Sequence, residues 1–226
     1  MKPRVAHRPT AALTLVEVFV VIVVLAFLAA LVLSVDRPDK WKVDRVNCMN
    51  NLKEISLAYR IWQGDHNDKY PMEISVTNGG TMELAFAGDV SATFRVITKD
   101  LNMATNFLVC PADFKKIQSL KNSSRFSAAN ISYFVALDAS GYSPTNFLSG
   151  DDSIEINGQP VKSGLLELAT DSRASWNTNR HRCYGNVALT DGSVTDSTPL
   201  GGHFPFGTLT NLLHQTGLAT NRLAIP

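Results

Sequence analysis

The chain lacks an excess of charge of either sign. Its 226 residues include 21 Lys and Arg against 20 Asp and Glu, which leaves a formal net charge of +1. A nucleic-acid-binding domain normally presents a strongly basic face. The balanced charge therefore gives no sign of a nucleic-acid partner.

The local motifs of common catalytic sites are also missing. The sequence has no Gly-x-Ser-x-Gly, no phosphate-binding loop, no His-Glu-x-x-His and no convincing pair of carboxylates. The sequence therefore predicts a protein that is not an enzyme.

Cysteine is scarce, and its number is odd. Cys48, Cys110 and Cys183 are the three cysteines. In an extracytoplasmic domain, one disulfide and one free thiol are the expected arrangement. Spacing does not decide which two pair, and we take Cys48 with Cys110 as the candidate disulfide. No metal-ligand spacing is present, so no metal centre is expected.

Residues 13–33 form a long apolar run that contains a single carboxylate, Glu17. A bilayer-spanning helix takes about 20 apolar residues, so the run predicts a transmembrane helix over 13–35 behind a basic leader, 1–12. A secretory signal peptide fits poorly, because its apolar core is shorter. A plain single-pass anchor fits the length, but it leaves Glu17 unexplained unless that side chain reaches the interface.

Residues 12–17, Ala-Leu-Thr-Leu-Val-Glu, resemble the N-terminal signal of type IV prepilins and type II secretion pseudopilins. The resemblance implies that a prepilin peptidase cuts between Ala12 and Leu13 and methylates the new N terminus. The family usually has Gly before the cut and Phe after it, and this chain departs from both. By the same resemblance, Glu17 pairs with the α-amine at Leu13 of a neighbouring subunit and sets the register of a filament.

In a second motif, nine residues separate His181 from the pair Asp191 and Gly192. It resembles the His-x9-Asp-Gly signature of a bacterial pilin-like family, which tends to carry two further strings. These are Asn-Asn-Leu-Lys, at 50–53, and Cys-Pro-x-Asp, at 110–113. Asp-Gly is also the pattern of a two-residue hairpin turn, and His181 also fits a histidine hydrogen-bonded near that turn.

No cofactor is expected from the residues themselves. The resemblance introduces calcium, because related pseudopilins bind it in a C-terminal loop. The segment 149–153, Ser-Gly-Asp-Asp-Ser, has the oxygen-rich composition that calcium prefers. A loop that matches the family's calcium site is not identifiable.

Periodicity predicts an α+β fold of the pilin-like type. Residues 41–63 carry an apolar stripe at helical spacing (Leu52, Ile55, Tyr59, Trp62). With the apolar run they predict one N-terminal helix about 75 Å long, in which residues 36–64 are an amphipathic continuation. That helix is expected to pack on a small antiparallel sheet in a head over 65–226. Strands are expected at 92–97, 131–137 and 164–170, with a hairpin over 186–195.

The combined expectation is a structural subunit of a type IV pilus-like or type II secretion pseudopilus filament, assembled through its N-terminal helix. The implied partners are other copies or related pilin-like subunits, a prepilin peptidase and methylase, an inner-membrane assembly platform and membrane lipid. The implied location is the bacterial inner membrane, with one span and a periplasmic head, or an extracellular filament. The alternative is a glycan-binding or enzymatic extracytoplasmic domain on a single-pass anchor, which would tolerate the loss of the Glu17 carboxylate.

Overall fold

The computed structural model describes residues 14–33, 39–99, 105–113, 116, 127–178, 180–196 and 208–226. The chain divides into two compact units, Met1–Pro38 and Asp39–Pro226. In the first unit, helix α1 covers Leu15–Leu33. The second unit contains every other helix and strand described below.

The prediction of one long N-terminal helix on a small sheet is wrong. Helix α1 ends at Leu33, and a separate helix, α2, covers Lys40–Gly64. Pro38 comes just before α2, and proline has no N–H to donate and disfavours helix at the residue before it. The amphipathic helix therefore starts afresh after Pro38 instead of continuing the apolar run.

In the part of the chain that the structure describes, no helix has the combination of length and apolarity that a membrane span needs. This finding contradicts the prediction of a single-pass inner-membrane protein with a span at 13–35 and a periplasmic head.

The second unit is an α+β structure with two antiparallel sheets. Its helices after α2 are α3 (Met82–Phe86), α4 (Val90–Lys99) and α5 (Thr208–Gln215). Its strands are β1 (Tyr133–Ala136), β2 (Phe147–Asp151), β3 (Ile154–Ile156), β4 (Gln159–Pro160), β5 (Gly164–Ala169), β6 (Ala174–Trp176), β7 (Asn186–Leu189), β8 (Val194–Asp196) and β9 (Thr220–Ile225). Short 3-10 turns cover Pro71–Glu73, Val76–Asn78, Thr105–Leu108 and Ala128–Asn130.

The larger sheet has six strands in the order β5-β9-β1-β2-β7-β8, and the smaller has three in the order β4-β3-β6. The last strand, β9, lies between β5 and β1. Leu223 on β9 is opposite Leu166 on one side and Ala136 on the other. Strand β9 is thus an interior strand of the larger sheet, next to the edge strand β5.

The larger sheet is covered on both faces at β1. Tyr133 and Val135 belong to the core that includes α2 and α4, while Phe134 and Ala136 belong to the core that includes α5 and β6. Every position of β1 is buried. A strand buried on both faces is apolar throughout rather than alternating, which explains the apolar character of 131–137.

Several predicted elements are confirmed. The helix at 41–63 is α2, and all four residues of its apolar stripe are buried. The strands at 131–137 and 164–170 are β1 and β5, and the hairpin at 186–195 is the antiparallel pair β7 and β8. The strand predicted at 92–97 is wrong, because that segment lies in α4. Val90, Phe94 and Ile97 are buried at the i, i+4, i+7 spacing of a helix face.

Candidate functional site

The first candidate site is the start of helix α1. Thr14 precedes the helix, and its backbone N–H and its Oγ1 donate to Glu17 Oε2 at 2.8 and 2.9 Å. The Glu17 N–H donates back to Thr14 Oγ1 at 3.3 Å. This reciprocal pair is a capping box, so Glu17 has a local role in starting the helix. The same hydrogen bonds from Thr14 lower the pKa of Glu17, and its carboxylate is therefore ionised at neutral pH.

The side chains of α1 are exposed along the helix. Residues 14–31 are all exposed, and the exposed fractions of Leu15, Phe19 and Phe27 are 86%, 63% and 64%. A helix that is apolar all round is normally buried, and large apolar patches mark interaction sites. The predicted processing residues Ala12 and Leu13 lie outside the described residues.

The second candidate site is a buried group of four residues, Cys48, Cys110, Asp151 and His181, which we call the His181 cluster. Cys48 lies on α2, Cys110 follows the turn Thr105–Leu108, Asp151 ends β2, and His181 lies between β6 and β7. All four are buried. One donor atom from each residue lies within 4.8 Å of the others. Four segments that are distant in sequence thus meet at one point.

Cys48 and Cys110 are joined by a disulfide, and Cys183 is a free thiol. His181 Nε2 lies 3.2 Å from Cys110 Sγ. Because a disulfide sulfur carries no proton, Nε2 is the donor of this contact. The other ring nitrogen, Nδ1, then carries a lone pair, and it has no hydrogen-bond partner among the described residues.

Asp151, like His181, has one polar atom with a hydrogen-bond partner and one without. Its Oδ2 accepts from Asn186, from the backbone N–H at 2.9 Å and from Nδ2 at 3.0 Å. Its Oδ1 is buried and has no partner in the part of the chain that is described. Burial raises the pKa of Asp151, against the charges of Arg180 and His181. Burial likewise lowers the pKa of His181, against the charge of Asp151. An unsatisfied buried polar atom costs about 1–3 kcal/mol, so the cluster is not a low-energy arrangement.

A strained turn holds His181 in place. The Tyr184 N–H donates to the His181 carbonyl at 3.1 Å, and the two residues between them, Arg182 and Cys183, have φ of 52° and 68°. Left-handed conformations cost non-glycine residues of the order of 1–3 kcal/mol each. The turn packs on the start of α2, where Trp41 stacks on Tyr184 at a centroid distance of 5.7 Å and faces the Arg182 guanidinium at 5.3 Å. These contacts maintain the strained turn that carries His181.

An ion-pair network adjoins the cluster. Arg180 Nη2 pairs with Asp152 and lies 3.5 Å from Asp113 Oδ2, while its Nη1 donates to the Ser132 carbonyl at 3.0 Å. Lys116 Nζ lies 3.5 Å from Asp152 Oδ2, and burial lowers the pKa of Lys116. The two carboxylates and two cations line a cavity of about 330 Å³. Because these charges balance, they leave little net charge for a ligand in the cavity.

The two ends of the His-x9-Asp-Gly motif have different structural roles, because only His181 belongs to the cluster. Asp191 and Gly192 lie in the turn between β7 and β8, where the Ser193 N–H donates to Asp191 Oδ1 at 2.7 Å. The prediction of a two-residue turn is wrong, because four residues, 190–193, separate the two strands. Gly192 has a positive φ of 86°, but Asp191 does not have a positive φ. Arg60 Nη1 on α2 donates to the Asp191 carbonyl at 3.4 Å. Asp191 is not part of the His181 cluster.

Of the two other strings of the resemblance, one supplies a member of the cluster and the other contacts the residue next to it. Asn51, in the Asn-Asn-Leu-Lys string, donates from Nδ2 to the Val109 carbonyl at 3.1 Å and to Tyr133 Oη at 3.0 Å. The Cys-Pro-x-Asp string supplies Cys110 to the disulfide and Asp113 to the ion pairs. These residues connect α2 to the segment before β1.

Sequence reasoning missed Asp151 as a site residue and Arg180 entirely. The segment 149–153 was considered only as a calcium-binding loop, because of its oxygen-rich composition. In the structure, Asp151 lies in β2 and accepts a hydrogen bond from Asn186. Asp152 takes part in the ion pairs. β2 was not among the strands predicted from the sequence, so nothing in the sequence marked Asp151 as a buried acid that needs a partner.

Comparison of the chain with known protein families, with curated proteins and with solved structures finds no match. The function must therefore be inferred from α1 and the His181 cluster themselves.

Proposed function

We propose that the chain is a structural subunit of a filament, of the type IV pilus-like or type II secretion pseudopilus kind, and that it assembles through helix α1. The observation that carries this proposal is the exposed apolar surface of α1 with one ionised carboxylate, Glu17, in its first turn. Side chains such as Leu15 and Phe27 leave water when α1 packs against the same helix of neighbouring copies. Each Å² of apolar surface buried contributes roughly 25 cal/mol.

Glu17 selects the register of this packing. An unpaired carboxylate is costly inside an apolar bundle, whereas a paired one is tolerated. Both Thr14 donors use Oε2, so Oε1 can accept from a neighbouring subunit. The complementary cation is the α-amine that a prepilin peptidase creates at Leu13.

The capping of α1 and the charge of Glu17 can be changed by different substitutions, so the contribution of each to assembly can be tested separately. Glu17→Gln keeps a side-chain carbonyl that can accept from Thr14 but removes the charge. Thr14→Val removes the two hydrogen bonds of the cap that use Thr14 Oγ1 but keeps the charge. The full chain is co-expressed with a prepilin peptidase, and assembly is measured as the fraction in cross-linked oligomers. Glu17→Gln should lower assembly at least about tenfold, equivalent to 1.4 kcal/mol, while Thr14→Val should assemble like the wild type.

Helix content, measured by circular dichroism, is the control for both variants. The proposal is overturned when Glu17→Gln assembles as well as the wild type, since Glu17 is then only a capping residue. It is also overturned when Thr14→Val and Glu17→Gln fail equally, because the cap rather than the charge then controls assembly.

A further inference from the structure

We propose that the His181 cluster is a redox-gated zinc site. When the Cys48–Cys110 disulfide is reduced, the two cysteine thiolates, a ring nitrogen of His181 and the Asp151 carboxylate bind one Zn²⁺. This site is independent of α1 and of filament assembly.

The cluster is compact enough to hold a single ion. The four donor atoms lie within 4.8 Å of one another. Zinc binds thiolate at about 2.3 Å and imidazole or carboxylate at about 2.0–2.2 Å, so the ligand atoms of one tetrahedral ion lie about 3.3–3.8 Å apart. Separation of the two sulfurs on reduction, together with rotation of the side chains, brings all four atoms to these spacings. Four ligands of S, N and O type also match the tetrahedral preference of zinc.

The alternative is a purely structural role, in which a histidine packs against a buried disulfide. That alternative does not explain the two buried atoms without partners, Asp151 Oδ1 and His181 Nδ1. Both residues have no exposed surface, and buried polar groups in proteins nearly always have partners. Once the disulfide is reduced, a metal ion bound between the four side chains gives the carboxylate and the imidazole a shared partner.

The charges of the surroundings also suit the ion. Two thiolates and one carboxylate carry three negative charges against the two positive charges of Zn²⁺. The complex carries one net negative charge, and the Arg180 guanidinium interacts favourably with its Asp151 ligand. A soft thiolate pair selects zinc over magnesium and calcium, which prefer oxygen ligands.

The ligand change starts with reduction of the disulfide by a dithiol. The two thiols of the reductant become a disulfide, and their two electrons and two protons convert the Cys48–Cys110 bond into two thiols. Zinc binding then displaces both thiol protons to the solvent, because thiolate is the ligand form.

The test compares the oxidised and reduced forms of the untagged full chain. Each form is incubated with Zn²⁺, with a phosphine as the reductant, and passed through a desalting column, after which zinc is measured by mass spectrometry. We expect about one zinc per reduced chain and almost none per oxidised chain. Co²⁺ should give the intense near-ultraviolet absorption of thiolate ligation in the reduced chain alone.

Matched variants separate the site from adventitious binding. Cys183→Ser removes a thiol outside the cluster and should bind zinc like the wild type. His214→Gln is the corresponding control for His181→Gln, which should weaken zinc binding at least about tenfold. Cys48→Ser with Cys110→Ser should abolish binding, and circular dichroism should show that this variant is folded.

Three results overturn the proposal. The first is a reduced wild-type chain that binds no zinc, whether or not it stays folded. The second is equal binding by the oxidised and reduced forms. The third is binding by the Cys48→Ser and Cys110→Ser double variant at the wild-type level, which would place the ion elsewhere.

Discussion

At the residue scale, the packing around Gly185 leaves no room for a side chain. A Cβ at this position would lie 2.1 Å from the Trp176 ring. Trp176 is fully buried in the core between the larger sheet, α5 and β6. Any larger residue at 185 must therefore displace a buried indole in the segment that follows His181.

Gly185→Ala should lower the free energy of unfolding by about 1–3 kcal/mol, the usual cost of overpacking a core. Gly64→Ala is the matched control, because nothing lies within 4 Å of a Cβ at that position and Gly64 is the last residue of α2. The control should be neutral or more stable by up to about 1 kcal/mol. Urea denaturation followed by tryptophan fluorescence measures both. Equal stability of Gly185→Ala and the wild type would contradict the close approach.

At the element scale, helix α3 depends on one carboxylate. The helix has five residues, too few to be stable alone. Glu83 in its first turn accepts from Ser75 Oγ at 2.5 Å and from the Val76 N–H at 2.8 Å. These two hydrogen bonds join α3 to the turn Val76–Asn78. They lower the pKa of Glu83 below its ordinary value of 4.5.

This shift predicts an acid-dependent loss of stability. A carboxyl group with a lowered folded-state pKa stabilises the fold above its unfolded pKa, and the contribution disappears as the pH falls through the folded value. The wild type should therefore lose more stability than Glu83→Gln as the pH falls from about 6 to about 3. Urea denaturation at each pH gives the comparison, with Glu54→Gln, an exposed carboxylate on α2, as the control. Parallel pH profiles for wild type and Glu83→Gln would show that the hydrogen bonds contribute nothing.

The elements that could be predicted from sequence are those with a strong local pattern. The stripe of α2 repeats over almost three turns, and β1, Tyr-Phe-Val-Ala, is rich in strand-forming residues. The segment 92–97 was misread because a short apolar run fits either period, and only packing on the α2 side of the sheet selects the helix. Asp151 lies within hydrogen-bond distance of Asn186 because β2 pairs with β7 in a register that places Gly150 opposite Val187. Such long-range register leaves no local signal, so Asp151 is the one member of the His181 cluster that was not predicted from the sequence.

At the scale of the whole molecule, the disulfide joins α2 to the segment before β1 across 62 residues. In the chain-entropy picture, closing a loop of this length stabilises the fold by about 4 kcal/mol. Reduction of the wild type in the absence of zinc should therefore lower the free energy of unfolding by about 2–4 kcal/mol. Cys183→Ser should not change this difference, since Cys183 is outside the disulfide. Denaturation of the reduced and oxidised forms with a chelator present measures it, and equal stability would contradict the role of the link.

Under the proposed filament function, α1 remains in the mature chain and assembles it. Mass spectrometry of the N terminus of the protein, isolated from cells that contain a prepilin peptidase, tests this most directly. The account predicts a chain that begins at Leu13 and keeps the whole of α1. A chain that begins at Met1, or one cut after Ala30 so that α1 is lost, would contradict it.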